Sequence, residues 1–256
     1  MNKSELIKKI TQKKEFSKLP KRDVELVLSK FDDEEYDEDK VKFSRDLLMK
    51  VFSGFASQKL LKIKDKSEEW ILGKHLSSRE RIVYYKKVYS RILKGFEDKI
   101  SVIDLGAGVN GFSYKYFKKD VFYVGVEAIG QLVELTNHYF MKEKISGKAF
   151  HVSLFEIEKI KKIIKGTKKP RVVFLFKTID SLEMLERDYS KKLILELAPL
   201  VDRIVVSFTS ESMIKRRKFF AKRKWIVNFI KDNFKIIDNF ELGGERYIVF
   251  EKSKDL

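Results

Sequence analysis

The stretch Val102-Ile103-Asp104-Leu105-Gly106-Ala107-Gly108-Val109-Asn110-Gly111 decides how this chain is read. An apolar, β-branched run ends in an acid and then in glycines spaced Gly-x-Gly-x-x-Gly. Such glycines permit a tight turn and a close backbone approach to a ligand at the C-terminal edge of a strand. Working outward, short β-rich runs recur at 100–105, 121–127, 149–153, 172–176 and 204–208, separated by amphipathic helical segments. The alternation predicts βαβ units and a mainly parallel sheet. At 234–238 and 247–250, two further runs flank Gly243-Gly244 and predict a hairpin.

Five parallel strands closed by an antiparallel C-terminal hairpin is the layout of a class I, Rossmann-like methyltransferase that uses S-adenosyl-L-methionine (SAM). The glycine spacing alone also suits NAD, because Glu127 ends the second predicted strand and is placed to accept from two ribose hydroxyls. Asp104, two residues before Gly106, favours SAM. A carboxylate there suits a ligand carrying an ammonium and a sulfonium and sits badly beside a pyrophosphate.

Residues 1–97 read as a helical domain and 98–256 as the SAM-binding domain. Pro20 precedes a helix at 21–28, with Asp23 and Glu25 placed as first-turn acids. The acidic run 32–39 predicts a solvated loop leading into a helix, not a metal site. Over 42–56, Phe43, Leu47, Leu48, Val51, Phe52 and Phe55 form a core-facing stripe. Ser77-Ser78-Arg79-Glu80 predicts a capping box for a helix that carries Ile82, Tyr85, Tyr89, Ile92 and Leu93 on one face and ends at Gly95.

Of 256 residues, 43% are hydrophobic, enough for a sizeable core, and 36% are charged. Fifty-five Lys and Arg oppose 38 Asp and Glu, a formal charge of +17 spread over both halves. Charge of this size points to a polyanionic partner, most often nucleic acid. The absence of cysteine excludes disulfides, thiolate metal sites and cysteine nucleophiles. His75, His138 and His151 are scattered, so no metal site is expected. No leader pattern and no membrane-spanning apolar run are present, and a cytoplasmic, monomeric protein is expected.

From Lys215 to Trp225, seven cations and three aromatics stand without an acid. Lys215, Arg216, Arg217, Lys218, Lys222 and Arg223 are candidates for RNA phosphates, with Trp225 turned to the core. A second basic stretch, 159–171, serves solubility or RNA equally well.

The missing cysteine closes covalent-adduct methylation of pyrimidine C5. The fourth strand ends Phe176-Lys177-Thr178-Ile179-Asp180, without the Asn/Asp-Pro-Pro-aromatic motif used on exocyclic base amines. Guanine N7 has an in-plane lone pair and no proton, so positioning alone supplies most of the acceleration there.

Several segments together resemble the aminoglycoside-resistance small-subunit rRNA methyltransferases of the Arm/Rmt type. They are His75-Leu76-Ser77-Ser78-Arg79-Glu80-Arg81, Phe174-Leu175-Phe176-Lys177, and Val205-Val206-Ser207-Phe208 followed by Ser212, a basic stretch and Trp225. Lys13-Lys14-x-Phe16 before Pro20 and Val24 matches the N-terminal region more loosely. The resemblance implies methylation of N7 of a decoding-region guanosine in the assembled small subunit, with SAM as cofactor and rRNA as partner. It implies cofactor contacts from His75, Arg79 or Arg81 (at the SAM carboxylate), Asp104, Gly106, Ala107, Gly108, Asn110, Glu127, Ala128, Ser153, Leu154 and Phe176. It leaves Lys177 and Ser207 as positioning candidates, and Lys13, Lys14, Lys21 and Arg22 as N-terminal RNA contacts. Two departures stand out. Asn110 is followed by glycine where the family has proline, and Ser153 stands where an acid ends the family's third strand. Methylation of another RNA position (including ribose 2′-OH, where Lys177 could serve), an NAD-dependent oxidoreductase and a non-catalytic ribosome assembly factor are the alternatives.

Overall fold

Strand β1 (Ile100–Leu105) is buried along its whole length, as a central strand covered on both faces must be. It pairs in parallel with β2 (Val121–Glu127) on one side and β4 (Arg171–Phe176) on the other. Beyond these lie β3 (Gly147–His151) and β5 (Arg203–Thr209), also parallel. Strands β6 (Phe234–Leu242) and β7 (Glu245–Lys252) form the expected hairpin, with β7 inserted antiparallel beside β5. The order is β3-β2-β1-β4-β5-β7-β6. Strand order reverses between β1 and β4, and the crevice at the C-terminal ends of strands about such a switch point is where open α/β sheets bind ligands. The computed structural model describes residues 1–52, 57–63, 65–97, 99–210 and 223–253.

Alternate strand residues feed two cores. Val102, Tyr123, Phe174, Val205 and Val249 face one side, where they meet the N-terminal helices and α7 (Gly130–Lys142). Ile103, Val124, Val173, Val206 and Ile248 face α8 (Ile157–Lys165), α9 (Ile179–Leu185), α10 (Tyr189–Leu197) and α11 (Lys224–Asn233). Trp225, expected in the core, is only partly buried against this second cluster.

The N-terminal helices are α1 (Lys3–Thr11), α2 (Lys21–Leu28), α3 (Asp37–Val51), α4 (Glu68–Gly73), α5 (Leu76–Arg81) and α6 (Tyr85–Ile92). Their buried residues share one core with the first sheet face, which Tyr85, Val88, Tyr89 and Ile92 of α6 help to cover. The acidic run divides, with Asp37, Glu38 and Asp39 opening α3 where they complement the helix dipole. Among the described residues no acid/His group forms a metal site, and no helix is long and apolar enough to cross a membrane. The expected capping box is absent. Helix α5 starts from His75 without a side-chain cap, and a 3-10 turn at Ile82–Tyr84 separates it from α6. The would-be capping residues are used elsewhere: Ser77 Oγ accepts from Arg81, and Glu80 accepts from Lys177. Of the α3 stripe, Leu48 and Val51 are buried, Phe43 and Phe52 are half-buried, and Phe55 lies outside the described residues.

Candidate active site

The loop after β1 is drawn onto β2 by backbone and side-chain bonds. Gly106 N–H donates to the Val126 carbonyl at 2.8 Å. Glu127 accepts Gly108 N–H on Oε2 and Ile129 N–H on Oε1, both at 2.8 Å, so one carboxylate ties two loops together. Burial pushes the Glu127 carboxyl up, against the opposing pull of those N–H groups. Gly106 (φ +74°) and Gly108 (φ +53°) lie in the left-handed region that favours glycine. Close approach requires them too: a Cβ on Gly106 would lie 2.9 Å from Thr178 Oγ1, and one on Gly108 2.8 Å from His75 Nε2.

These loops form the floor of a cavity. Its walls include Asp104, Ala107, Asn110 and Ala128, with His75, Ser77 and Arg81 from the N-terminal helices and Phe176, Lys177 and Thr178 from the end of β4. Leu154 and Phe155, beyond β3, and Asp23 of α2 close the far end.

Asn110 is the hub of the buried polar network. Its Nδ2 donates to Asp104 Oδ2 at 2.6 Å, and its Oδ1 accepts from Tyr85 Oη at 2.7 Å and Arg81 Nη1 at 3.3 Å. Tyr123 Oη donates to the same Asp104 oxygen at 2.6 Å. Burial raises the Asp104 carboxyl despite both donors.

Arg81 is 3% exposed and forks onto Glu245, with Nε and Nη2 each 3.0 Å from a carboxylate oxygen. Bonds to Glu245, Asn110 and Ser77 engage four of its five N–H groups. Burial opposes the Glu245 charge, but Arg81 and Lys177 outweigh it and hold the carboxyl below the usual range. Lys177, itself at φ +55°, donates from Nζ to Glu80 at 2.6 Å and lies 3.5 Å from Glu245. Burial, then Arg81 and Lys177, push His75 down to about 4, so its ring is neutral at neutral pH.

The expected residues therefore separate. Arg81 lines the cavity, whereas Arg79 is exposed and lies off it. Ser207 is buried behind Glu245, to which its hydroxyl donates, and is absent from the wall. Ser153 also stands behind the wall and donates to Asp23 at 2.6 Å. Glu245, Thr178 and Asp23 are wall-forming or wall-supporting groups that sequence reading did not place here.

Of the RNA candidates, Lys13, Lys14, Lys21 and Arg22 are exposed, and Lys13 lines a groove with Lys9, Lys42 and Arg45 alongside the acids Glu38 and Asp46. Arg223 is held inward, 2.8 Å from both Asp180 Oδ1 and the Thr209 carbonyl. Lys215, Arg216, Arg217, Lys218 and Lys222 lie outside the described residues.

No family model and no curated protein matches the sequence. Solved structures do match. The 16S rRNA methyltransferase RmtF, in complex with S-adenosyl-L-homocysteine, aligns over 99% of this chain and 100% of its own, with a TM-score of 0.79 and 17% identity. The 16S rRNA methylase RmtB aligns over 99% of each chain, with a TM-score of 0.78 and 16% identity. The fold is that of the Arm/Rmt rRNA methyltransferases. The 16S rRNA methylase ArmA aligns over 73% of this chain and 92% of its own, with a TM-score of 0.57 and 22% identity. The Arm/Rmt likeness spans the helical N-terminal region as well as the sheet, since the two Rmt alignments cover nearly every residue.

Proposed function

We propose that this protein is a SAM-dependent methyltransferase of small-subunit ribosomal RNA, acting at N7 of a decoding-region guanosine in the assembled subunit. The observation that carries the reading is the cavity at the β1/β4 switch point, where two positive-φ glycines leave room against Thr178 and His75 beside the buried acids Asp104 and Glu127. A pyrophosphate would meet these two carboxylates, whereas an ammonium and a ribose would be held by them. When bound, SAM supplies an electrophilic methyl group on a sulfonium. Asp104, oriented by Asn110 and Tyr123, would hold the ammonium, Glu127 would take the ribose hydroxyls, and Arg81 would face the carboxylate. Gly106, Ala107, Gly108, Ala128, Leu154 and Phe176 shape the cleft around these contacts.

Among the described residues on the methyl-transfer side of the wall, His75 and Lys177 are the candidate bases, and both are committed elsewhere. His75 is neutral but sits on the Gly108 turn, and Lys177 Nζ is engaged by Glu80 and Glu245. N7 of guanine needs no base, so Lys177 acts as a positioning residue. The helices before residue 97 serve as the RNA-docking part, with Lys13, Lys14, Lys21 and Arg22 on phosphates and the 215–222 run as a second basic contact. The target base is flipped out to bring N7 in line with the methyl. A monomeric cytoplasmic protein completes the reading, with aminoglycoside resistance and routine modification as the two uses of the modified ribosome.

The test uses small subunits from cells lacking the gene, incubated with protein and labelled SAM, then cleaved with borohydride and aniline. A new cut at a decoding-region guanosine is expected. Incorporated label without a cut would move the target to another RNA atom. No label on subunits, naked rRNA or assembly intermediates would favour a binding factor.

A further inference from the structure

Helix α2 delivers Asp23 to the β3 end of the cavity, where its side chain is 1% exposed. Oδ1 accepts the Ser153 hydroxyl at 2.6 Å, and Ser153 Oγ accepts the Phe155 N–H at 3.1 Å. The hydroxyl proton is thus committed, and Oδ1 is fixed as an acceptor. Oδ2 is buried and meets no donor among the described residues. A buried acceptor without a donor costs about 1–3 kcal/mol, and more when it is charged. Nearby Glu156 and Glu127 worsen that cost, while Arg22 relieves it. A ligand bringing an N–H donor to Oδ2 would remove it.

The sheet order identifies the donor. Along the strand edge the wall runs from Lys177 after β4, through Asp104 on β1 and Glu127 on β2, to Leu154 beyond β3. With the ammonium at Asp104 and the ribose at Glu127, the next station takes the base. Its lining there, Ala128, Ile129, Leu132, Leu154 and Phe155, is apolar, as a flat heteroaromatic ring requires. We infer that Asp23, carried by an N-terminal helix and locked by Ser153, accepts the 6-amino group of the cofactor's purine on Oδ2 and selects 6-amino over 6-oxo purines. The inference rests on the SAM reading above and adds a specificity residue from outside the strand-and-loop framework.

The test is calorimetric binding of S-adenosylhomocysteine and S-inosylhomocysteine to the full chain at pH 8, where the Asp23 carboxyl is ionised and Oδ2 is an acceptor. A 6-oxo group would set oxygen against Oδ2, so the wild-type protein should prefer the adenosyl compound by about tenfold or more. In Asp23→Asn the Ser153 hydroxyl holds the amide oxygen, and the amide NH2 turns to the cavity. Adenosyl binding then falls about tenfold, inosyl binding strengthens, and the preference inverts. Thermal melting and circular dichroism confirm that the variant is folded. If it is not, the wild-type comparison decides alone. Equal wild-type affinities, or an unchanged ratio in a folded Asp23→Asn, would overturn the assignment while leaving the SAM reading intact. Failure of the wild-type protein to bind S-adenosylhomocysteine would overturn the SAM reading and this inference with it.

Discussion

Asp23 makes the ligand-free fold sensitive to pH in an unusual direction for an acid. Burial, opposed by the Ser153 bond and aided by Glu156 and Glu127, raises its carboxyl from 3.8 to about 7, with Arg22 as the facing cation. The folded state therefore binds more protons than the unfolded one across that interval. The stability contributed is complete below the unfolded value and is lost as pH rises towards 7. Urea unfolding should show a larger fall in stability from pH 5 to pH 8 for the wild type than for Asp23→Asn; equal falls would contradict the assignment. Glu127 is shifted the same way, so its share remains in both proteins. The sequence shows Asp23 only as a first-turn acid after Pro20, because its partner lies 130 residues away on another element. By contrast, Asp104, Gly106, Gly108 and Glu127 are legible, since one strand, its turn and the next strand's end carry the constraint within a short span.

The β1 turn and α5 must be read as one element pair. Gly108→Ala would place a methyl 2.8 Å from His75 Nε2 at a left-handed φ. The backbone term alone costs about 1–2 kcal/mol. Melting should show a lowered Tm, and calorimetry a loss of S-adenosylhomocysteine binding. Adding His75→Ala should recover part of the Tm by opening space, while the φ penalty stays. The pattern Ser77-Ser78-Arg79-Glu80 misleads at this scale. It fits a capping box locally, yet Arg81 and Lys177 offer Ser77 and Glu80 charged partners that a local pattern cannot reveal. The strands were easier to read: β-branched runs, a glycine turn and the terminal hairpin all impose local conformations, and the observed strands match them to within a few residues.

Across the whole molecule, the Arg81–Glu245 fork joins positions 164 residues apart. Glu245 sits beside the hairpin turn, in a strand whose sequence signals only pairing, so its role at the cavity was not legible. Glu245→Gln leaves the buried guanidinium without its anion and should cost about 3–5 kcal/mol in urea unfolding. Ser207→Ala removes the hydroxyl bond to the same carboxylate and the acceptor for Lys177 N–H, whose other bond to the Ser207 carbonyl stays, and should cost about 1–2 kcal/mol.

That fork also has a temporal meaning. Strand β7 follows every other strand of the sheet in the chain, yet it inserts between β5 and β6 and brings the counter-charge for Arg81. During translation the Arg81 side of the wall lacks its anion until residue 245 has been made and paired. A protein proposed to modify ribosomes is thus unfinished at its own site while a ribosome is still making it.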